Sequence, residues 1–210
     1  MDVVPWALAT AKIAPGEQIR MSATNQSRIK PAITPVHLTD GTVVCSFAPI
    51  ESQAARVLVL GSMPGTASFR AGQYYAYRHN AFWPIMGALF GAGPDIAYEK
   101  RIVILCRAGL ALWDVLASCA REGSLDAAID EESIVPNDFR TFFDAHPNVQ
   151  QVFFNGSKAE SSFNRYVRPN LSERALRFTR LPSTSPAHAS LSLAHKLRAW
   201  RAVARALEKK

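Results

Sequence analysis

A four-residue apolar run, VLVL at residues 57–60, constrains the fold of this chain more than any other feature. The run alternates valine with leucine and ends at Gly61, which is typical of a strand buried on both faces. Two further candidate strands follow it, at residues 150–154 and 176–181. Helical patterns separate the candidates, at residues 82–90, 95–106 and 157–166. Strands that alternate with helices predict a parallel sheet covered by helices on both faces.

Ligands of such sheets bind at the carboxyl ends of the strands. Here those ends are the GSMPG segment 61–65, the Asn155-Gly156 pair and the LPSTSP segment 181–186. The loops richest in Gly, Pro and Ser therefore lie where chemistry is expected.

The two ends of the chain differ in pattern. Residues 1–42 mix four prolines with Ser, Thr and Gln and show no sustained period of helix or strand. We therefore expect a poorly ordered N-terminal extension over residues 1–42 and one folded domain over residues 43–210. Segment 191–210 predicts an amphipathic helix, with Leu193 and Trp200 on the face that closes the core.

Composition favours a polyanionic partner. The 24 Lys and Arg residues exceed the 17 Asp and Glu residues by seven, a balance that suits nucleic acid without proving it. Cys45, Cys106 and Cys119 lack metal-ligand spacing, so we expect no metal site and no disulfide framework. With no apolar run near the ~20 residues of a membrane span and no recognisable signal peptide, we expect a cytosolic protein.

Aromatic residues are concentrated after the first loop, at Tyr74, Tyr75, Tyr77, Phe82 and Trp83. Core packing would explain the last two at a helix start, but not so many tyrosines among polar residues. Planar side chains bracket a planar ligand, and a neighbouring amide can pair with its edge. The pattern predicts a flat, apolar-walled slot.

Each loop has a plainer explanation when it is taken alone. Gly61 and Gly65 allow a close backbone approach to a base or phosphate, yet a Gly-Pro-Gly segment also fits a simple turn. The hydroxyls of segment 181–191 suit phosphates, yet they also suit a turn that caps the last helix.

Three segments together resemble a known family: GSMPG…YYAYRHNAFWP, VFFNGSKA and LPSTSPAHA. They are similar, in order and spacing, to the uracil-DNA glycosylase superfamily, most closely to its hypoxanthine-DNA (deoxyinosine) glycosylase branch. The resemblance covers residues 46–205. It implies an α/β fold, three-layer α/β/α with a central parallel four-stranded sheet. It also implies a base-excision repair enzyme that hydrolyses the N-glycosidic bond of a deaminated base flipped out of DNA, with no cofactor.

The resemblance also implies site residues. The base pocket would be formed by Gly61, Ser62, Met63, Pro64, Gly65, Tyr75 and Asn155. Phe82 matches the aromatic that stacks on the flipped base. The second motif, from Leu181, is pressed into the duplex, so DNA contacts are expected from Ser183, Thr184, Ser185, Pro186 and His188.

Two positions depart from the uracil-specific members. Met63 occupies the place of a polar residue that positions water, and Leu181 occupies the place of His or Asn. The hypoxanthine branch has the same apolar residue at the first of these positions, and there an asparagine before the Phe-Trp pair is implicated in catalysis. Asn80 is the matching residue, and it could either orient water or hold the base edge.

Four further residues leave alternatives open. Asp114 is either a polar group near the pocket or a helix cap. Lys158 is either a Schiff-base nucleophile or a surface cation, and the second predicts a monofunctional enzyme. In segment 121–129, Ser124 could cap the helical stretch from Leu125 and Arg121 could touch DNA.

The main hypothesis is a monomeric hypoxanthine-DNA glycosylase of a bacterial cytosol. One alternative is a glycosylase for uracil or another deaminated base. Another is a catalytically silent member that binds nucleic acid through the aromatic slot, which Met63 favours and Asn80 opposes. The third is an enzyme that binds a free nucleoside.

Overall fold

The computed structural model describes residues 36–38, 41–171, 174–188 and 190–208. The strands in these ranges are β1 (Val36–Leu38), β2 (Gly41–Cys45), β3 (Val57–Gly61), β4 (Leu110–Asp114), β5 (Leu116–Ala120), β6 (Val135–Pro136), β7 (Gln151–Asn155) and β8 (Arg177–Leu181). The helices are α1 (Thr66–Ala71), α2 (Phe82–Phe90), α3 (Tyr98–Ala108), α4 (Phe139–Ala145), α5 (Ser157–Ser162) and α6 (Leu193–Glu208). None of the described helices is long and apolar enough to cross a membrane.

The central sheet has four parallel strands in the order β4-β3-β7-β8. All five residues of β3 are buried, as the apolar run predicted, because β3 is an interior strand with helices on both faces. The predicted parallel four-stranded sheet is confirmed. The fourth strand, β4, was not among the candidates, since its apolar run follows α3 after a single glycine.

Side chains alternate along the central strands and build two cores. Leu58, Leu60 and Phe154 face the layer of α4 and α5. Val57 and Val59 face the layer of α2, α3 and α6. Each fully buried aliphatic side chain contributes about 1.5–3 kcal/mol, so the two cores hold the carboxyl ends of the strands at fixed positions.

A second sheet, antiparallel in the order β1-β2-β5-β6, was not predicted. Its strands are two to five residues long, and the burial of β5 does not alternate, so no period-2 pattern marks them in the sequence. Strands β1 and β2 begin before residue 43, inside the segment expected to lack regular structure. The division of the chain at residue 42 stays a prediction, because residues 1–35 lie outside the described residues.

Helix α6 confirms the predicted amphipathic helix, with one difference in its buried face. Trp200 is fully buried and donates from Nε1 to Pro182 O at 2.9 Å. Leu193 is half exposed, whereas Lys196 is buried and donates from Nζ to Ser185 O at 3.3 Å. Helix α6 therefore holds the segment 181–186 through hydrogen bonds to two of its carbonyls.

Candidate active site

In the loop after β3, three carbonyls are hydrogen-bonded within the protein, whereas two amides have no partner among the described residues. Gly61 O accepts from Val115 N at 2.9 Å, and Ser62 O accepts from Leu116 N at 3.1 Å. Pro64 O accepts from the Arg121 guanidinium. The N–H groups of Met63 and Gly65 donate to no other residue in the described part of the chain. Such a loop can bind an acceptor atom of a ligand.

Gly61 is the point where three residues of the pocket converge. It pairs with Asp114 across β3 and β4. A Cβ at Gly61 would collide with Asp114 Oδ1 and would lie 2.9 Å from the Tyr75 hydroxyl. Glycine is required here because a carboxyl and a phenol both approach the strand end.

Asp114 ends β4 and is 3% exposed. Burial, and then the charge of Asp126, raise its pKa to about 8, although Arg121 opposes the shift. At neutral pH the carboxyl is therefore mostly protonated. Its Oδ2 has no hydrogen-bond partner among the described residues. Of the two interpretations left open, the helix cap is wrong, because Asp114 belongs to a strand and only Val115 separates it from β5.

The Tyr75 and Phe82 rings stack with 4.1 Å between centroids and 21° between planes. Phe82 has no exposed surface, since Tyr75 covers its face and Trp83 and Trp200 pack edge-on against it. Direct stacking of Phe82 on a base, expected from the resemblance, does not fit this arrangement. Tyr75 is partly exposed, so of these two rings it is the one that a ligand can reach.

The other aromatics divide between core and surface. Tyr74 is buried, and its hydroxyl lies 3.2 Å from Ala48 O. Trp83 is buried and donates to Tyr74 O at 2.8 Å, whereas Tyr77 is 48% exposed. Core packing thus explains more of the aromatic cluster than the sequence suggested.

Asn80 has one half of its carboxamide occupied. Its Oδ1 accepts at 3.0 Å from Phe82 N, the first N–H of α2, which has no partner within the helix. Its Nδ2 has no partner among the residues that the structure describes. The donor half of this side chain is therefore the half available to a ligand.

Asn155 joins the end of β7 to the segment 181–186. Its Oδ1 accepts from Thr184 N, and its Nδ2 donates to Thr184 Oγ1, each at 2.8 Å. Thr184 is fully buried and also accepts from Ala81 N at 2.9 Å. The expected DNA contact of Thr184 therefore does not fit, because this residue connects three loops from inside.

The remaining second-motif residues lie at the surface beside a cavity. Pro186 and His188 are exposed, and Ser183 and Ser185 are partly buried. The cavity measures about 370 Å³, and its lining includes Ser183, His188, Arg180 and Lys196. Hydroxyls and cations in one concave surface suit a phosphate backbone.

Segment 121–126 bonds to the first loop at three points. Besides the Arg121 contact with Pro64, Ser62 Oγ donates to Asp126 Oδ1 at 2.7 Å. Ser124 Oγ accepts from Thr66 N at 2.9 Å. Ser124 thus caps α1 and not the stretch that follows it. Arg121 is 3% exposed, so a direct DNA contact does not fit either.

Lys158 is engaged at the surface. It forms an ion pair with Glu131, which also accepts from the Tyr166 hydroxyl at 2.8 Å. The hydrogen bonds from Lys158 and Tyr166 lower the pKa of Glu131. An amine engaged in an ion pair is a poor nucleophile.

Comparison with known proteins supports the same family. The model of the Uracil DNA glycosylase superfamily matches residues 49–204. A relative from Methanosarcina barkeri, named Hypoxanthine DNA glycosylase, is 39% identical over 114 residues, which is 54% of this chain and 71% of the relative. A relative of the same name from Methanosarcina acetivorans is 38% identical over 114 residues, with the same shares of both chains.

A solved structure has the same fold. The solution NMR structure of a Methanosarcina acetivorans protein, described provisionally as a uracil DNA glycosylase, aligns with a TM-score of 0.66 and 34% identity. The alignment covers 79% of this chain and 99% of the other. This chain therefore belongs to the uracil DNA glycosylase superfamily and is a DNA glycosylase.

Proposed function

We propose that this glycosylase hydrolyses the N-glycosidic bond of hypoxanthine that has been flipped out of DNA, and that it has no lyase activity. One observation carries the proposal: the unpaired polar groups around Gly61 and α2 are donors. Among the described residues they include the Met63 and Gly65 amides, the Asn80 Nδ2, the Tyr75 hydroxyl and the protonated Asp114 carboxyl. Two relatives named Hypoxanthine DNA glycosylase support the same substrate.

A pocket of donors discriminates between purines by hydrogen bonding. Hypoxanthine offers a 6-oxo acceptor where adenine carries a 6-amino donor. A donor facing that amino group would be buried without a partner, which costs far more than a missing contact in an apolar pocket. The flipped base would stack on Tyr75, which Phe82 supports from behind.

The same donors suit the reaction. As the bond between C1′ and the purine nitrogen breaks, positive charge develops on the sugar and negative charge on the base. Fixed N–H donors stabilise the departing base without reorganisation. Water adds to C1′, its hydroxyl stays on the sugar and its proton goes to the base, so the products are an abasic site and free hypoxanthine.

The DNA would lie over the second motif. Ser183 and His188 line the basic cavity, which suits the phosphates beside the flipped nucleotide. Ser185 and Pro186 belong to the same segment and would contact the DNA next to it. Flipping costs a few kcal/mol and costs least at a mispaired base, so weak pairing contributes to selection. We propose a monomer, because one flipped base needs one pocket. The free cysteines of the described chain fit a reducing cytosol.

The test is single-turnover excision from matched oligonucleotides that carry one inosine, uracil, xanthine or adenine. Each reaction is analysed with and without alkali. Strand breaks at inosine that appear only after alkali are expected, because a monofunctional enzyme leaves an intact abasic site. Strand breaks without alkali would show lyase activity. Faster release of uracil than of hypoxanthine would make uracil the preferred substrate. Binding without release of any base would favour a catalytically silent binding protein.

A further inference from the structure

The segment 121–126 contacts the loop after β3 and the first residue of α1. Its contacts reach Ser62, Pro64 and Thr66, and they join positions 57 to 64 residues apart in the chain. Because these contacts reach the start, the middle and the end of the loop, they restrict the positions that its backbone can take.

The Arg121 contact fixes the orientation of one particular peptide. The described chain contains no cis peptide bond. In a planar trans peptide the C=O and the N–H point in opposite directions. Arg121 binds Pro64 O from the buried side, so the N–H of the same peptide, which belongs to Gly65, points away from Arg121. That N–H is one of the two loop amides with no partner in the described residues.

The charge of Arg121 strengthens this donor. A hydrogen bond from a guanidinium to a carbonyl polarises the whole peptide, which makes its N–H a better donor. Burial adds to the effect, since Arg121 is 3% exposed and its Nε and Nη1 have no hydrogen-bond partner among the described residues. Of the two acidic groups that act on Arg121, Asp114 is mostly protonated and Asp126 accepts a hydrogen bond from Ser62.

We propose that Arg121 is a positioning residue of the glycosylase: it orients and polarises the Pro64–Gly65 peptide so that the Gly65 N–H donates to the acceptor atom of the departing base. The inference rests on the proposed function. Arg121 does not touch the base or the DNA. Its effect is greatest in the transition state, where negative charge on the base is largest.

The experiment compares Arg121→Met, Arg121→Lys and the wild-type protein in single-turnover excision from an inosine duplex. The matched control is Glu122→Gln, which changes an exposed neighbour. Loss of the guanidinium is expected to slow the chemical step about a hundredfold, the scale of a donor misplaced by about 1 Å, with duplex affinity within about twofold. Lysine should recover part of the rate, because it keeps the charge without the rigid fork.

A second measurement keeps the inference testable without activity. In ¹⁵N–¹H spectra of the free protein, Arg121→Met should shift the Gly65 amide strongly and Glu122→Gln should leave it in place. Wild-type protein that excises nothing would overturn the proposed function, whereas an unmoved Gly65 amide in the methionine variant would overturn the role of Arg121. A wild-type rate in Arg121→Met would also overturn the role of Arg121. The same holds if Arg121→Met and Arg121→Lys lose rate equally and lose thermal stability equally.

Discussion

The Tyr75 ring lies over the buried Phe82 ring at 4.1 Å, so the pocket and the core are separated by a pair of stacked aromatics. The backbone of Tyr75 has a φ of 53°, a left-handed conformation that residues other than glycine rarely adopt. Strained residues of this kind persist where the surrounding packing determines them, which is common at functional sites.

The stacked pair predicts different consequences for its two members. Tyr75→Ala should weaken binding of an inosine duplex by about 1–3 kcal/mol, the usual contribution of one base stacked on an aromatic ring. Tyr75→Phe, the matched control, should keep most of that affinity. Phe82→Ala should instead lower the free energy of unfolding by about 3–5 kcal/mol, because Phe82 is a core residue. Fluorescence anisotropy and denaturant titration measure the two quantities. Full stability with lost affinity in Phe82→Ala would restore Phe82 as the stacking residue.

The close approach at Gly61 predicts a coupled substitution. Gly61→Ala should reduce stability by about 1–3 kcal/mol, because the new methyl group displaces Asp114 and Tyr75. Asp114→Ala removes one of the displaced groups, so the double variant should be less destabilised than the two single effects predict. Denaturant titration of all four proteins gives the coupling energy. Strictly additive effects would show that the two residues do not meet.

Asp114 predicts a pH dependence of stability. Its pKa is about 8 in the folded protein and near 3.8 in the unfolded chain. Between these values the unfolded chain releases a proton that the folded protein retains, so this group makes stability fall as pH rises from about 4 to about 8. The loss attributable to Asp114 should be absent from Asp114→Asn. Thermal unfolding of both proteins across this range measures the difference, and parallel curves would contradict the buried acid.

The same carboxyl predicts a pH dependence of excision. The rate of the wild-type protein should fall as pH rises through about 8, because the donor becomes a carboxylate that faces the charge of the departing base. Asp114→Asn keeps a donor at every pH, so it should lack this step. Any pH dependence that remains in the variant belongs to other groups of the protein or to the substrate. A step of the same size in both proteins would exclude Asp114.

Asn80 can be tested with a substitution that separates its two halves. Asn80→Asp keeps an oxygen for the Phe82 N–H but removes the amide donor, whereas Asn80→Ala removes both. If Nδ2 holds the base, both variants should lose about 10²–10³ in single-turnover rate, and only alanine should destabilise α2. A fast Asn80→Asp variant beside a slow Asn80→Ala variant would instead assign catalysis to the oxygen, which orients water.

Strong local patterns made much of the fold predictable. The VLVL run identified β3, and the apolar residues 82–90 identified α2 with its observed bounds, because strand and helix periods are properties of neighbouring residues. The motif segments also identified the family and most of the loops that form the site. The pairing of short strands such as β1 and β6 depends on distant partners, so no local pattern revealed it.

The amino-acid sequence by itself determined the strand or loop that most of the motif residues occupy, since those depend on local pattern. Asp114 is the exception, because β4 was not among the predicted strands. Only the tertiary structure decided which ring covers the other, since Tyr75 and Phe82 are equally aromatic in the sequence. It likewise decided that Asp114 is a buried acid, that Thr184 is internal and that Arg121 lies behind Pro64. Burial and contacts between residues far apart in the chain exist only after folding, and they set the protonation and the orientation on which the chemistry depends.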